Sequence, residues 1–196
     1  MGRPKEHDDS TRAALLAAAE TLIQTHGPNA ASVRAVADAV GTTTRAVYSV
    51  FGSKDGMLEA LAMRLFEMLS EAIDACTSSD DPVADIVTIS LDGFRRTALE
   101  HPSLYGLVFL RIVPDLRLGP EFSAVASGAF GRLQAHIARL EDEGHLRQVS
   151  VGDAAATVHA LTEGLATMEL RGMLAGTNAE HVWRTAITAL LRGFAS

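Results

Sequence analysis

The sequence predicts an all-α protein of about nine helices, and three observations carry that expectation. Apolar residues recur at three- and four-residue spacing along most of the 196-residue chain. Hydrophobic residues make up 47% of it, yet there are only seven Phe, two Tyr and one Trp. Alanine and leucine therefore carry the apolar fraction, which favours helix over strand. Proline and glycine divide the chain into segments, with prolines at 4, 28, 82, 102, 114 and 120, and no segment sustains the period-two alternation of a hairpin.

Each helix follows from its stripe and its punctuation. Apolar residues at 15, 16, 19, 22 and 23 form the face of a first helix, starting after a capping Asp9 or Ser10 and stopped by His26-Gly27-Pro28. Ser32 caps a second, with Val33, Val36, Ala37 and Val40 on one face and Gly41 at its end. Thr42 or Thr43 caps a short third, which turns Val47, Val50 and Phe51 inward and stops at Gly52. Ser53 caps a fourth whose stripe is long: Leu58, Leu61, Ala62, Leu65, Phe66, Leu69 and Ile73, running to Cys76. Asp81-Pro82 opens a segment to about Glu100, because proline suits the first helical position. The next runs from Pro102 to near Val113-Pro114, and a loop over 115–119 leads to a long helix from Pro120 to Gly144. Asp153 to Ala175, closed by Gly176, and Ala179 to Phe194 complete the set.

Charge and composition exclude several functions. A single cysteine, Cys76, rules out a disulfide framework and any multi-cysteine metal site. The polar run Met1–Asp9 has no apolar stretch behind it, and no apolar run approaches the ~18 residues of a membrane span, so a cytoplasmic protein is expected. There is no phosphate-binding glycine loop, no dinucleotide loop and no Gly-x-Ser-x-Gly, and Cys76 has no histidine near it in sequence. No enzymatic activity, cofactor or metal is expected. The net charge of −7 argues at first sight against a nucleic-acid partner. Residues 1–55, however, hold six basic and six acidic groups, so the whole negative excess lies in 56–196. That asymmetry lets one end approach a polyanion while the rest is repelled.

The second and third helices carry the functional signal. Two helices meeting at a steep angle need a small residue at their contact and a glycine where the chain reverses, which Ala37 and Gly41 supply. The outer face of the third helix is then Thr43, Thr44, Arg45, Tyr48 and Ser49, and no acidic residue lies between Asp38 and Asp55. Such a face suits base edges in a major groove, although a solvated helix face has the same composition.

At these residues the sequence resembles the TetR family of bacterial transcriptional regulators. The run extends from Thr11-Arg12 through Leu15 to Ser32-Val33-Arg34-x-Val36-Ala37-x-x-Val40-Gly41. It continues through Val47-Tyr48-x-x-Phe51-x-Ser53-Lys54-x-x-Met57-Leu58, so four helices match in register. The resemblance implies a helix-turn-helix DNA-binding domain over 1–55, with a recognition helix at about 43–51, and a ligand-binding and dimerisation domain over 56–196. It implies phosphate contacts by Ser32, Arg34, Tyr48 and Lys54, and base contacts by Thr43, Thr44 and Arg45. The leader Gly2-Arg3-Pro4-Lys5 is either an arm for a neighbouring minor groove or a plain tail.

One such domain makes few contacts, so a homodimer on a palindromic double-stranded operator is expected, acting as a repressor released by a small-molecule effector. The last two helices look like the family's dimer-forming pair, with Leu161, Leu165, Met168, Val182, Ile187, Leu190 and Leu191 as apolar positions. His101-Pro102-x-Leu104-Tyr105 and Gly164-Leu165-x-x-x-Glu169-Leu170 resemble one subgroup, with Glu163 where that subgroup has histidine. Candidate effector-site residues are Tyr105, Phe109, Phe122, Phe130 and Met168, with His159 and Glu163 one helical turn apart. The other class of function compatible with the sequence is an all-helical small-molecule binding or interaction protein that does not read DNA.

Overall fold

Caps and prolines set the helix boundaries in the computed structural model, which describes residues 4–195, with side chains from residue 9 onward. Every regular element among the described residues is helical. Helix α1 (Pro4–His26) begins five or six residues before the caps expected at Asp9 or Ser10. Pro4 carries the fixed φ of a first helical position, and Glu6, Asp8 and Asp9 follow in the opening turns, where the helix dipole favours acids. Lys5 is thereby helical backbone rather than arm; Gly2, Arg3 and the Lys5 side chain lie outside the described residues.

After the 3₁₀ turn Pro28–Ala30 come α2 (Val33–Val40), α3 (Thr44–Phe51) and α4 (Lys54–Asp74). Asp81 caps α5 (Pro82–Thr88), accepting from the Ala84 amide at 2.9 Å. A π-helical segment, Ile89–Arg95, joins α5 without a break to α6 (Arg96–Glu100), so these three pieces form the one segment expected over 82–100. Then follow α7 (Pro102–Val108), α8 (Pro120–Asp142), α9 (Val151–Leu170) and α10 (Ala179–Phe194).

Two further helices differ from expectation in their boundaries, for visible reasons. Helix α7 ends five residues before Val113, because Arg111 takes a left-handed φ of 49° and the chain doubles back. Ile112 N–H then donates to the Gly106 carbonyl at 3.1 Å, and its side chain fills the space a Cβ at Gly106 would need. Helix α9 starts two residues before Asp153, capped by Ser150, and ends at Leu170 rather than Ala175. Gly172, at φ 71°, closes it with amides from Gly172 to Glu169 O and from Met173 to Met168 O, both 2.9 Å.

The chain forms two compact units: residues up to Leu65 with Pro102–Ser123, and Phe66–His101 with Ala124–Ser196. In the first, Leu15, Ala19, Val36, Val47, Met57, Leu58, Leu61, Leu104 and Tyr105 form the core, and the Glu59 carboxylate accepts from Gly119 N–H at 2.6 Å. In the second, Ile86, Ile137, Leu140, Val158, Trp183 and Ile187 are the buried centre.

A buried carboxylate pins the start of α5 in the second unit. Asp85 accepts from the Ser79 amide at 3.0 Å, the Ser79 hydroxyl at 2.6 Å and the Arg139 guanidinium. Burial alone would raise its pKa, but the hydrogen bonds from Ser79 and Arg139 outweigh that and hold it below the ordinary carboxylate value. A depressed folded-state pKa stabilises the fold above the unfolded value, and that contribution is lost as acid titrates through the lower folded one. Asp85→Asn should lower unfolding free energy at pH 7 by about 1–3 kcal/mol. In urea titrations the gap to the parent protein should begin to narrow as the pH falls below the ordinary carboxylate value of about 4 and should close only below the depressed folded-state value; a gap that stays constant across that whole acid range would mean packing, not charge, is lost.

Candidate nucleic-acid interface and internal cavity

In the first unit the α2-turn-α3 motif is built by its caps. Ser32 Oγ accepts from Ala35 N–H at 3.1 Å, and Thr43 Oγ1 accepts from Ala46 N–H at 3.2 Å, so each short helix has a defined start. Gly41 reverses the chain at φ 73°, a conformation a side chain would strain. Val36, Ala37 and Val47 are buried between the helices, whereas Val40 and Val50 are only half-buried. Phe51 lies under the Arg12 guanidinium, 5.9 Å from ring centroid to Cζ, which ties α1 to the end of α3.

This arrangement leaves Thr43, Thr44, Arg45, Tyr48 and Ser49 exposed along α3, with the Tyr48 ring 53% accessible. Ser32 is also exposed, at the head of α2. The Arg34 side chain is 88% accessible and sits 3.8 Å from Asp38 one turn away. Lys54 is the first residue of α4 and half-buried. The seven residues expected at a DNA surface thus fall at three neighbouring places in sequence: the head of α2, the turn and face of α3, and the head of α4. Hydroxyls, a phenol, helix N-termini and three cations suit phosphate oxygens and base edges.

The second unit holds a cavity of about 450 Å3 that is partly open to solvent. Phe66, Leu69 and Ile73 of α4 line it, with Ile89, Ser90 and Phe94 of the π segment. The α8 residues Ala126, Ser127, Ala129, Phe130, Leu133 and Gln134 and the α9 residues Val158, His159 and Thr162 complete the lining. Phe94 and Phe130 meet the His159 ring edge-on, at 5.8 and 6.1 Å between centroids. Burial pushes the imidazole below its ordinary pKa, against the opposing pull of Glu163, whose Oε2 lies 3.8 Å from Nε2. The ring is therefore neutral at pH 7.

Of the expected effector-site residues, the structure places Phe130 and His159 in this lining. Glu163 flanks His159 without lining the cavity, and Met168 is exposed on α9. Tyr105 and Phe109 lie in the first unit, their rings tilted against each other with centroids 4.8 Å apart, and Phe122 belongs to that unit as well. Sequence reasoning missed the π segment, which supplies Ile89, Ser90 and Phe94. Phe66, Leu69 and Ile73 belong to the expected α4 stripe, but a core stripe and a cavity wall share one periodicity.

Behind that wall lies an ion pair between distant residues. Glu169 Oε1 accepts from Arg95 Nη2 at 2.7 Å, while Oε2 accepts from Arg95 Nε at 2.9 Å and from Trp183 Nε1 at 2.8 Å. Arg95 ends the π segment, Glu169 sits in the last turn of α9, and Trp183 is the fully buried anchor of α10.

Comparison with known proteins agrees with this architecture. Residues 15–61 match the family model of bacterial regulatory proteins of the tetR family, and residues 88–190 match that of the tetracyclin repressor-like C-terminal domain. An HTH-type transcriptional regulator of Mycobacterium tuberculosis is 26% identical over 157 residues, 73% of this chain and 66% of its own length. The chain therefore spans just under two thirds of that relative. A TetR family transcriptional regulator, PfmR, from Thermus thermophilus superposes with a TM-score of 0.69 at 23% identity, over 91% of this chain and 97% of its own. A protein of unknown function from a Rhodococcus species superposes with a TM-score of 0.79 at 23% identity, over 94% and 95% of the two chains.

The tryptophan is single, so the Glu169 junction can be read by fluorescence. Glu169→Gln retains shape but cannot satisfy both Arg95 donors and the indole; it should destabilise the protein by about 2–4 kcal/mol, less than a fully buried pair because Arg95 is partly exposed. Trp183 emission should shift to the red. Unchanged emission and unchanged stability would show that the junction does not hold α10 in place.

Proposed function

The chain belongs to the TetR family of bacterial transcriptional regulators, and from that premise we propose a homodimeric repressor that leaves a palindromic operator when a small molecule occupies the cavity of its second unit. The observation that carries this reading is the α3 face, where every polar side chain from Thr43 to Ser49 is exposed and the charge is cationic. Residues 1–55 serve DNA reading in this account, and residues 56–196 serve ligand binding and dimerisation. Arg45 donates to a guanine, with Thr43 and Thr44 beside it, while Ser32, Arg34, Tyr48 and Lys54 hold phosphates.

Apolar surface left on the last two helices supports the dimer. Leu165, Ile187 and Leu191 are buried within the chain, but Leu161, Met168, Val182 and Leu190 keep accessible surface, with Met168 at 38%. Leu161 and Met168 on α9, and Val182 and Leu190 on α10, are spaced by two helical turns, as a stripe requires. Two copies would set recognition helices about 34–36 Å apart, one turn of DNA.

Helix α4 supports the gating. Its first residue is Lys54, and its later turns carry Phe66, Leu69 and Ile73 of the cavity wall. A ligand that favours one conformation of this helix by about 1–3 kcal/mol changes operator affinity by the same amount.

The roles of two residues separate cleanly in a binding experiment. Arg45→Ala should lose about 1–3 kcal/mol on the operator and little on unrelated DNA, relaxing preference at one base pair per half-site. Lys54→Ala should weaken both DNAs alike and reduce the salt slope by about one per protomer. Uniform weakening by Arg45→Ala would remove it from base reading.

A further inference from the structure

The cavity has a chemical character that goes beyond the presence of a ligand site. None of its lining side chains is charged. Its polar members are Ser90, Ser127, Gln134, His159 and Thr162, and two of these already direct their protons to the backbone. Ser90 O–H donates to Ile86 O at 2.7 Å and Thr162 O–H to His159 O at 2.8 Å. What faces a ligand is the aromatic rings of Phe94 and Phe130, aliphatic wall, a neutral imidazole and the Gln134 amide. The amide lies near Gly152 in the first turn of α9, seven residues and about 10 Å along the helix from His159.

Charge selects against ions here. A carboxylate or phosphate taken into this lining finds no cation, and the acid nearest the imidazole, Glu163, repels it. A cation finds aromatic faces but no lining carboxylate, since Glu163 is 40% accessible and outside the wall. An uncharged molecule loses nothing comparable, and its apolar area is removed from water. The volume, about 450 Å3, falls in the range of about 300–1,000 Å3 that encloses small organic ligands.

We infer that the effector is an uncharged, flat aromatic molecule carrying a hydroxyl or carbonyl group, which hydrogen-bonds the His159 imidazole or the Gln134 amide while its rings pack against Phe94 and Phe130. The inference rests on the proposed reading of this cavity as the effector site.

Four probes of one ring system separate the charge classes: 1-naphthol, 1-naphthoate, 1-naphthylmethylammonium and naphthalene, titrated calorimetrically into the full chain at pH 7. Naphthol should bind once per chain, at least tenfold tighter than either ion. His159→Phe and Gln134→Leu together should erase its advantage over naphthalene. Leu133→Trp or Ala126→Phe, each checked for fold by circular dichroism, should fill the space and abolish binding. Tighter binding of naphthoate or of the ammonium, binding of none of the four, or full naphthol affinity in both filled variants would each overturn the inference. A parallel arm measures release of the operator duplex recovered by selection from random DNA. Naphthol that binds as expected but leaves DNA affinity unchanged would sink the effector reading while the ligand class stands. Naphthoate that binds best and releases DNA would do the reverse.

Discussion

The Glu169 carboxylate is the point at which three separate elements of the second unit must agree. Its two oxygens accept from two nitrogens of the Arg95 guanidinium and from the Trp183 indole, so the end of the π segment, the last turn of α9 and the body of α10 are fixed by one group. A bidentate pair with Arg is geometrically specific, and a third donor on the same carboxylate leaves little freedom to rotate. The π segment needs such an anchor. Its wider hydrogen-bonding ring is less stable than α-helix and persists where neighbouring contacts demand it. The extra residue changes the facing of the helix, so Ile89, Ser90 and Phe94 meet the cavity while Arg95 meets Glu169. The segment that lines the cavity and the last two helices are thus joined by a side-chain contact spanning 74 positions of sequence.

The helix-turn-helix depends on a different constraint, local and cheap to encode. A hydroxyl at each helix start, a small residue at the crossing and a glycine at the reversal suffice, and Ser32, Thr43, Ala37 and Gly41 each do what their type and place require. Because these devices act over three or four residues, they were legible in the sequence, as were the Asp81-Pro82 start and the Gly144 stop. The family resemblance and the all-α class rest on the same short-range signals. Beyond those local rules, legibility falls away. Nothing in Ile-Ser-Leu-Asp-Gly-Phe-Arg distinguishes π from α ring closure, and the partner that holds its last residue, Glu169, lies far away in sequence. Likewise, the early end of α7 follows from Ile112 folding back onto Gly106, a tertiary contact that a stripe cannot reveal. Tyr105 and Phe109 were expected at an effector site because aromatic size is what a sequence shows; in the structure their rings pack on each other at a tilt, in the first unit.

Charge distribution organises function along the chain in a simple way. The exposed α3 face carries Arg45 and no acid, whereas the acidic excess lies beyond residue 55. In the second unit no charged side chain lines the cavity, and the ion pairs there include Asp85 with Arg139, Arg95 with Glu169, and Asp74 with Arg132 at 3.0 Å on the surface. In the proposed reading a polyanion meets the α3 face of the first unit, and an uncharged organic molecule meets the cavity of the second. Helix α4 contributes to both, through Lys54 and through Phe66, Leu69 and Ile73.

In the proposed reading the α3 face reads DNA as half of a two-fold symmetric pair. Selection of bound sequences from a random double-stranded pool, with Arg45→Ala run alongside the parent, tests it most directly. The parent protein should select a palindrome, and the variant should select the same palindrome degraded at one symmetric base pair. No enrichment at low salt, with the protein free of ligand, would contradict it and leave an all-helical small-molecule binding protein in its place.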